Sequence, residues 1–421
     1  MHREITLDNG LRIITNNMPH TRCVSLVFFT GVGSRYEADS EAGVSHFIEH
    51  VCFKGTNKRR SSHEISEVIE SIGGIINGGT DKEMTTFWCM VTSQYFSLAV
   101  DVLADLLQNP RFDSHDIDRE RQIIIEEINM SLDSPRQRVG MLMDEILWPG
   151  NPLGRDVAGS KETVYTLKRK QIVDFFSSHY LPNSTVVSIA GDIIHEQVQD
   201  TLNQAVGKWK PGKLQTIPPF NDNKKKASKV SLEFRETEQV QISIGVRGPS
   251  LHHPDRFAAN LLSIVLGEGM SSRLFIEIRE KRGLAYDIHS YTDNLTDTGA
   301  FSVHAGVDPS RYIEALQAIL KELSQLENNV SENELKKAQE MAKGRLLMGI
   351  ESSRNIAFYL GSQALLTNEI LTVDEIIARI NTVSVEDMRR VAKGLFRQDK
   401  LNLAVVGPVR EKEHISRLLK L

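Results

Sequence analysis

The chain repeats itself. Val24-Ser-Leu-Val-Phe-Phe matches Val240-Gln-Ile-Ser-Ile-Gly in pattern, and Ser184-Thr-Val-Val-Ser-Ile-Ala-Gly191 matches Leu401-Asn-Leu-Ala-Val-Val-Gly407, at an offset of about 216 residues. A long charged helical stretch near 114–130 finds its counterpart near 331–348. One unit of roughly 200 residues has therefore been doubled. The length agrees, because 421 residues exceed what a single ordinary core encloses. Each copy reads as strands, then helices, then a last strand and helix. That order predicts an α+β fold of two tandem homologous α/β-sandwich domains, each a mostly antiparallel sheet with helices packed on one face. The expected division is 1–210, a linker at 211–229 and 230–421. Pro211, Gly212, Pro218, Pro219 and the run Lys224-Lys-Lys226 deny the linker a packed face.

Local signals fill in the elements. Val24 to Thr30 and Gln241 to Val246 read as buried strands. Ser61-x-x-Glu64 opens a helix over 62–72 as a capping box, and Gly73-Gly74 closes it. Ser93 precedes an apolar helix over 94–107 that stops before Pro110. Met84 to Val91 reads as a strand. Either it or the stretch Asn77, Gly78, Gly79 and Thr80 before it is an open sheet edge that an extended peptide could join; an ordinary interior strand is the alternative.

His46-Phe-Ile-Glu49-His50 lies in a run that should be helical from Gly43 to Phe53. At about 100° per residue, His46 and His50 fall about 40° apart, with Glu49 about 60° to the other side of His46. One helix face thus offers two imidazoles with an acid beside them. A catalytic zinc requires such ligands, an open position for water and a base within reach of it. The order inverts the H-E-x-x-H zincin motif.

A metal needs a third protein ligand. Asp116 to Met130 reads as a helix with a charged first half, and Glu120 and Glu127 are seven apart, on nearly the same face. Glu126 points about 100° away. Glu127 is the expected third ligand, and Glu120 the carboxylate that orients a ligand imidazole. Taken alone, the helix also reads as a Glu-rich surface element. The duplication bears on the choice. Adding 216 to 46, 49, 50 and 127 lands on Leu262, Val265, Leu266 and Lys343. The second copy keeps the scaffold and has none of the ligands, which fits a single site in the first copy and a different task for the second.

The text around these residues resembles the pitrilysin or insulinase family of zinc peptidases, in its processing-peptidase-like branch. The resemblance rests on H-x-x-E-H followed by Glu127, on Phe53-Lys-Gly-Thr56, on Gly73-Gly74 with Asn77, and on Arg119-Glu-Arg-Gln-Ile-Ile. Leu266-Gly-Glu-Gly-Met-Ser-Ser-Arg-Leu274 and Arg279-Glu-Lys-Arg-Gly-Leu-Ala-Tyr286 extend it over nearly the whole chain. It implies one Zn2+ per chain on His46, His50 and Glu127, with Glu49 as general base. It also implies that Arg279 and Tyr286 contact the substrate or its tetrahedral intermediate. An endopeptidase cutting unfolded peptides in a chamber between domains, working as a homodimer, is the implied activity. A homologous inactive partner, or a non-catalytic role as a peptide-gripping or regulatory subunit, is the alternative. Gly78 and Phe87 stand where many relatives carry Ala and Tyr, and Glu268 interrupts a Gly run, departures that bear on peptide preference and not on the metal chemistry.

The rest of the sequence narrows the field. A net charge of −5, and no alternation of basic and aromatic residues, give no reason to expect nucleic acid or an anionic membrane as partner. Gly267-Glu-Gly269 lacks the Lys and Ser/Thr of a P-loop, so a substrate-lining loop or hinge is expected, with Arg273 beside it structural. His252-His253 before Pro254 has no partner pattern for a second metal. Three cysteines, an odd number without C-x-x-C, argue for a reducing compartment, with Cys52 a buried thiol. The N-terminus shows no apolar leader, and no run reaches membrane-span length, so a cytoplasmic location is the expectation.

Overall fold

The computed structural model describes residues 2–221 and 229–420. Residues 222–228 of the expected linker, including Lys224-Lys-Lys226, lie outside the described residues. The chain forms two compact units: Met1–Asn129 with Arg155–Ile217 and Met348–Ile370, and Met130–Gly154 with Pro218–Leu347 and Leu371–Leu421.

The first unit is built on a six-stranded sheet. Its strands are β1 (Arg3–Thr6), β2 (Arg12–Asn17), β3 (Cys23–Thr30), β4 (Ile75–Thr80), β5 (Thr85–Thr92) and β6 (Thr185–Gly191), in the order β1-β2-β6-β3-β5-β4. Only β2 and β6 run parallel. The second unit carries β7 (Lys229–Phe234), β8 (Val240–Arg247), β9 (Ala285–Asn294), β10 (Gly299–Val307) and β11 (Asn402–Gly407), in the order β7-β11-β8-β10-β9. Again one pair, β7 and β11, is parallel. Strand for strand, β2-β6-β3-β5-β4 repeats as β7-β11-β8-β10-β9, so the sequence duplication is a duplication of topology. β3 reads as an almost unbroken apolar run because it lies between β6 and β5 and is buried on both faces.

The helices Val44–Cys52 and Phe96–Gln108 pack on one side of the first sheet. The other face is covered by the single helix Ser353–Thr367, whose Ala357, Leu360 and Ala364 meet Ile14, Val27, Phe29 and Val186. That helix comes from the second copy of the sequence. In the second unit, Pro135–Leu147 from the first copy does the same, setting Val139, Leu142 and Met143 against Ala404 and Val406. The sheet's opposite face meets Arg256–Gly267, in a core that includes Ile242, Ile244, Leu262 and Val265.

Most expected elements stand within a few residues of their bounds. The helix expected over 62–72 runs Ser62–Glu70, and Ser61 Oγ accepts from Glu64 N. The Glu64 carboxylate takes Arg60 N. The stretch expected to be an edge or an interior strand resolves: β5 lies inside the sheet, between β3 and β4, and β4 is the edge. All three cysteines are free. No helix among the described residues is long and apolar enough to cross a membrane.

Candidate metal centre

The first helix begins at a constrained point. Gly43 has φ 93°, and a Cβ there would lie 2.3 Å from the Ala158 carbonyl oxygen, so only glycine fits the approach. Glu37 caps the start from a distance in sequence: its two carboxylate oxygens accept from Gly43 N and Ser45 N, each at 2.8 Å. Burial pushes the Glu37 carboxyl up to about 7 against the pull of those backbone donors. Arg155 Nη2 holds the same residue's carbonyl at 2.7 Å.

From that start, Val44, Phe47, Ile48 and Val51 turn into the core. His46 and His50, one turn apart, bring their ring centroids to 4.6 Å. The helix Ser114–Asp133 supplies the facing carboxylate. Glu127 Oε2 lies 3.8 Å from His46 Nε2 and 3.5 Å from His50 Nε2. Ligand atoms about 2.0–2.2 Å from a tetrahedral zinc are separated from one another by roughly 3.3 Å. The spacing and the two-nitrogen, one-oxygen donor set therefore fit zinc. Among the described residues this is the one cluster of three or more His, Cys, Asp or Glu side chains that could hold a metal ion.

Glu120 lies seven residues before Glu127, as the helical phase requires, and is 1% exposed. Its Oε2 is 3.2 Å from His50 Nδ1, which leaves His50 Nε2 for a metal. Its Oε1 forms an ion pair with Lys54 Nζ at 2.8 Å. Lys54 lies two residues past Cys52, the last residue of the helix, so helical phase does not signal its place beside Glu120. Burial opposes ionisation of Glu120, but His50 and Lys54 outweigh it and hold the carboxyl below its usual range. Burial likewise draws His50 down, yet Glu120, Glu127 and Glu49 together raise it. His46 is lowered to about 4 by burial and by His50, so its imidazole is neutral with a lone pair to donate. Burial raises the Glu49 carboxyl.

Glu49 points toward the sheet edge, where Thr80 Oγ1 donates to its Oε2 at 2.7 Å. Gly78 lies against the same side chain, since a Cβ there would be 2.9 Å from Glu49 Cγ. Asn77 Oδ1 accepts from Gly78 N, and Gly79 O from Thr86 Oγ1. The structure thus brings His46, His50, Glu127, Glu120, Glu49 and the β4 residues together in the first unit. Arg279 and Tyr286 belong to the second. There Arg279 stacks on both Phe275 and Tyr286, 4.7 and 4.4 Å from the ring centroids, and Nη1 donates to Tyr286 O. Phe275–Lys281 is a π-helix, a rare form that often marks functional segments. The Tyr286 side chain is exposed. Leu262, Val265 and Leu266, the counterparts of His46, Glu49 and His50, are core residues of the second unit. Arg273 is structural, forking onto Glu334 at 2.7 and 2.9 Å.

A repeated sheet-and-helix unit, with a two-histidine, one-carboxylate cluster that among the described residues occurs in the first repeat alone, defines a class: duplicated proteins carrying the side chains of an inverted zincin motif. Residues 12–161 match the family model described as insulinase (peptidase family M16), and residues 166–342 match the model described as peptidase M16 inactive domain. An uncharacterized zinc protease of Streptomyces coelicolor is 36% identical over 98% of this chain and 90% of its own length. The uncharacterized zinc protease YmxG of Bacillus subtilis is 32% identical over 97% of this chain and 98% of its own. A solved structure of a protease from Helicobacter pylori shares the fold with a TM-score of 0.92 at 22% identity, covering 97% of this chain and 99% of that one. The chain belongs to the insulinase (M16) family of peptidases.

Proposed function

We propose that this protein is a zinc-dependent endopeptidase acting on unfolded peptides. The observation that carries the reading is the convergence of His46, His50 and Glu127 within 4.8 Å of one another, with Glu49 on the same helix and turned to the sheet edge. The names of the relatives support a zinc peptidase in general. His46, His50 and Glu127 would hold the ion, and Glu120 would fix the tautomer of His50 by accepting from Nδ1. Zinc bound there would supply a Lewis acid, polarising the scissile carbonyl and the attacking water. Glu49 would take the water's proton and pass it to the leaving amine. Its raised pKa suits a group that must both accept and return a proton. The free edge of β4 would receive the peptide as an added strand. Arg279 and Tyr286 would donate to the developing oxyanion, a role drawn from the family resemblance. A homodimer is the proposed assembly, drawn from the family resemblance and from the presence of His46, His50 and Glu127 on one chain; mass measurement in solution tests it.

Metal analysis with cleavage of a quenched fluorogenic peptide, wild type against Glu49→Gln, decides the main claim. Wild type should carry one zinc per chain and cut, and the variant should carry zinc and cut at least a hundredfold more slowly, roughly the share of a general base. Cleavage indifferent to Glu49 would overturn the mechanism, and bound zinc with no cleavage at all would favour a peptide-gripping or regulatory subunit.

A further inference from the structure

We infer that Thr80 is a positioning residue for Glu49, so that the edge strand of the first sheet sets the orientation of the base. The inference rests on the reading of Glu49 as general base and adds to it a residue acting through another. Strand alternation separates the four β4 residues. Gly78 and Thr80 share one face, and Asn77 and Gly79 the other. The first face is the one that meets Glu49. Thr80 Oγ1 donates its single proton to Glu49 Oε2 at 2.7 Å. At Gly78 a Cβ would lie 2.9 Å from Glu49 Cγ and 3.1 Å from Oε1. One position thus leaves room for the carboxylate and the other anchors it. The Thr80 hydroxyl's one proton is committed to this bond and so is not available to a peptide paired along the backbone edge.

The anchor is itself held. Asp81 N bonds Met84 O at 2.8 Å, Ser34 N bonds Asp81 O at 3.2 Å, and Arg35 N bonds Lys82 O at 2.8 Å. Arg35 and Glu83 form an ion pair with both side chains buried. The turn that follows Thr80 is therefore tied to residues 34 and 35, and the hydroxyl has little freedom to drift. A glutamate has three rotatable side-chain bonds, so without the anchor its carboxylate would sample several rotamers, few of them oriented for proton transfer. A peptide added along β4 would lie on the strand that carries the anchor.

Thr80→Val keeps shape and strand preference while removing the donor, and Thr80→Ser keeps the donor. In the zinc-loaded 421-residue chain, Thr80→Val should lower kcat about tenfold to a hundredfold, with KM, zinc content and Tm near wild type. Thr80→Ser should return kcat to within a few-fold. A crystal structure of metal-free Thr80→Val should show the Glu49 carboxylate displaced or in several orientations. Wild-type kcat in Thr80→Val, a defect confined to KM, or Thr80→Ser as impaired as Thr80→Val would overturn the assignment. Should wild type show no Glu49-dependent cleavage, the peptidase reading fails separately. The metal-free structure then decides positioning alone: an unmoved carboxylate in Thr80→Val overturns it, and a displaced one supports it.

Discussion

Gly361→Ala sets two effects of opposite sign against each other. Gly361 lies in the interior of the helix Ser353–Thr367, which covers one face of the first sheet. Helix propensity alone favours alanine there by about 1 kcal/mol. Packing opposes it. An added Cβ would lie 2.1 Å from Phe29 Cε2, 2.5 Å from Cδ2 and 2.9 Å from Cζ, where carbon atoms normally rest about 3.5–4.0 Å apart. The Phe29 ring is fully buried and meets Phe358 edge-on at 5.5 Å, so it cannot swing aside freely. Overpacking of this kind costs about 1–3 kcal/mol, and an overlap this deep belongs at the upper end. The balance is a loss of about 2 kcal/mol, which in a unit of roughly 200 residues lowers Tm by about 4–8 °C. Gly344→Ala is the control. Gly344 is also inside a helix, Glu332–Gly349, but a Cβ there meets nothing within 4 Å. It should gain up to about 1 kcal/mol. Thermal and urea unfolding of both variants measures the pair. A Gly361→Ala protein as stable as wild type, beside a Gly344→Ala protein that is stabilised, would refute the packing described for this helix.

Three further outcomes follow from named contacts. Lys54→Met strips one cation from the buried Glu120 carboxylate and loosens its hold on His50; zinc affinity, measured by chelator competition, should fall about 10- to 100-fold, and unchanged affinity would remove Lys54 from the site. Tyr286→Phe should lower kcat about tenfold or more at constant zinc content, and an unchanged kcat would end its role as a donor. Glu334 gives a pH dependence. Burial would raise its carboxyl, but the Arg273 fork and Ser331 overcome this and hold it at about 2 against an ordinary 4.5. A depressed carboxyl contributes stability that is complete above the unfolded value and is lost as pH falls from about 4.5 through 2. With 27% of the side chain exposed, the contribution is about 2 kcal/mol after allowing for solvent screening. Arg273→Ala should flatten acid unfolding over that range, and an acid limb identical to wild type would count against the pairing.

The parts of this protein legible in the sequence are those fixed by short-range periodicity. His46, Glu49 and His50 share a helix, so their relative directions follow from its pitch. Glu120 and Glu127 share another, and seven residues bring them to one face. The link between those two helices, which periodicity cannot give, came from the need for a third ligand and the loss of the whole set in the second copy, and the family resemblance agreed with it. Lys54 is not legible in the same way, because it lies just past the end of its helix, where the phase is lost. Glu37 had no register tying it to Gly43 and Ser45, because a short 3-10 turn, Asp39–Glu41, and its flanking residues separate them. The covering helices escaped for a different reason. An apolar stripe states that a face will be buried and is silent about which sheet buries it. The division expected at 1–210 and 230–421 puts Pro135–Leu147 and Ser353–Thr367 each with its own repeat, whereas each belongs to the other compact unit.

That exchange bears on how the site is supported. β3 and β6 carry Phe29 and Val186 on the face that Leu360 covers, and β3 pairs with β5, which in turn holds β4 and Thr80. The strand that anchors Glu49 is thus two ladders away from a strand packed by residues 353–367, in the second copy of the sequence. A fragment ending at residue 217 would keep His46, His50 and Glu127 and lose that cover, exposing Ile14, Val27, Phe29 and Val186 to water. At about 1.5–3 kcal/mol for each large side chain uncovered, the loss is comparable to the whole stability of a domain. The first repeat should therefore fail to fold alone, and co-expression with residues 218–421 should rescue it. A soluble, zinc-binding 1–217 fragment would show that the second copy's helix is dispensable to the first sheet.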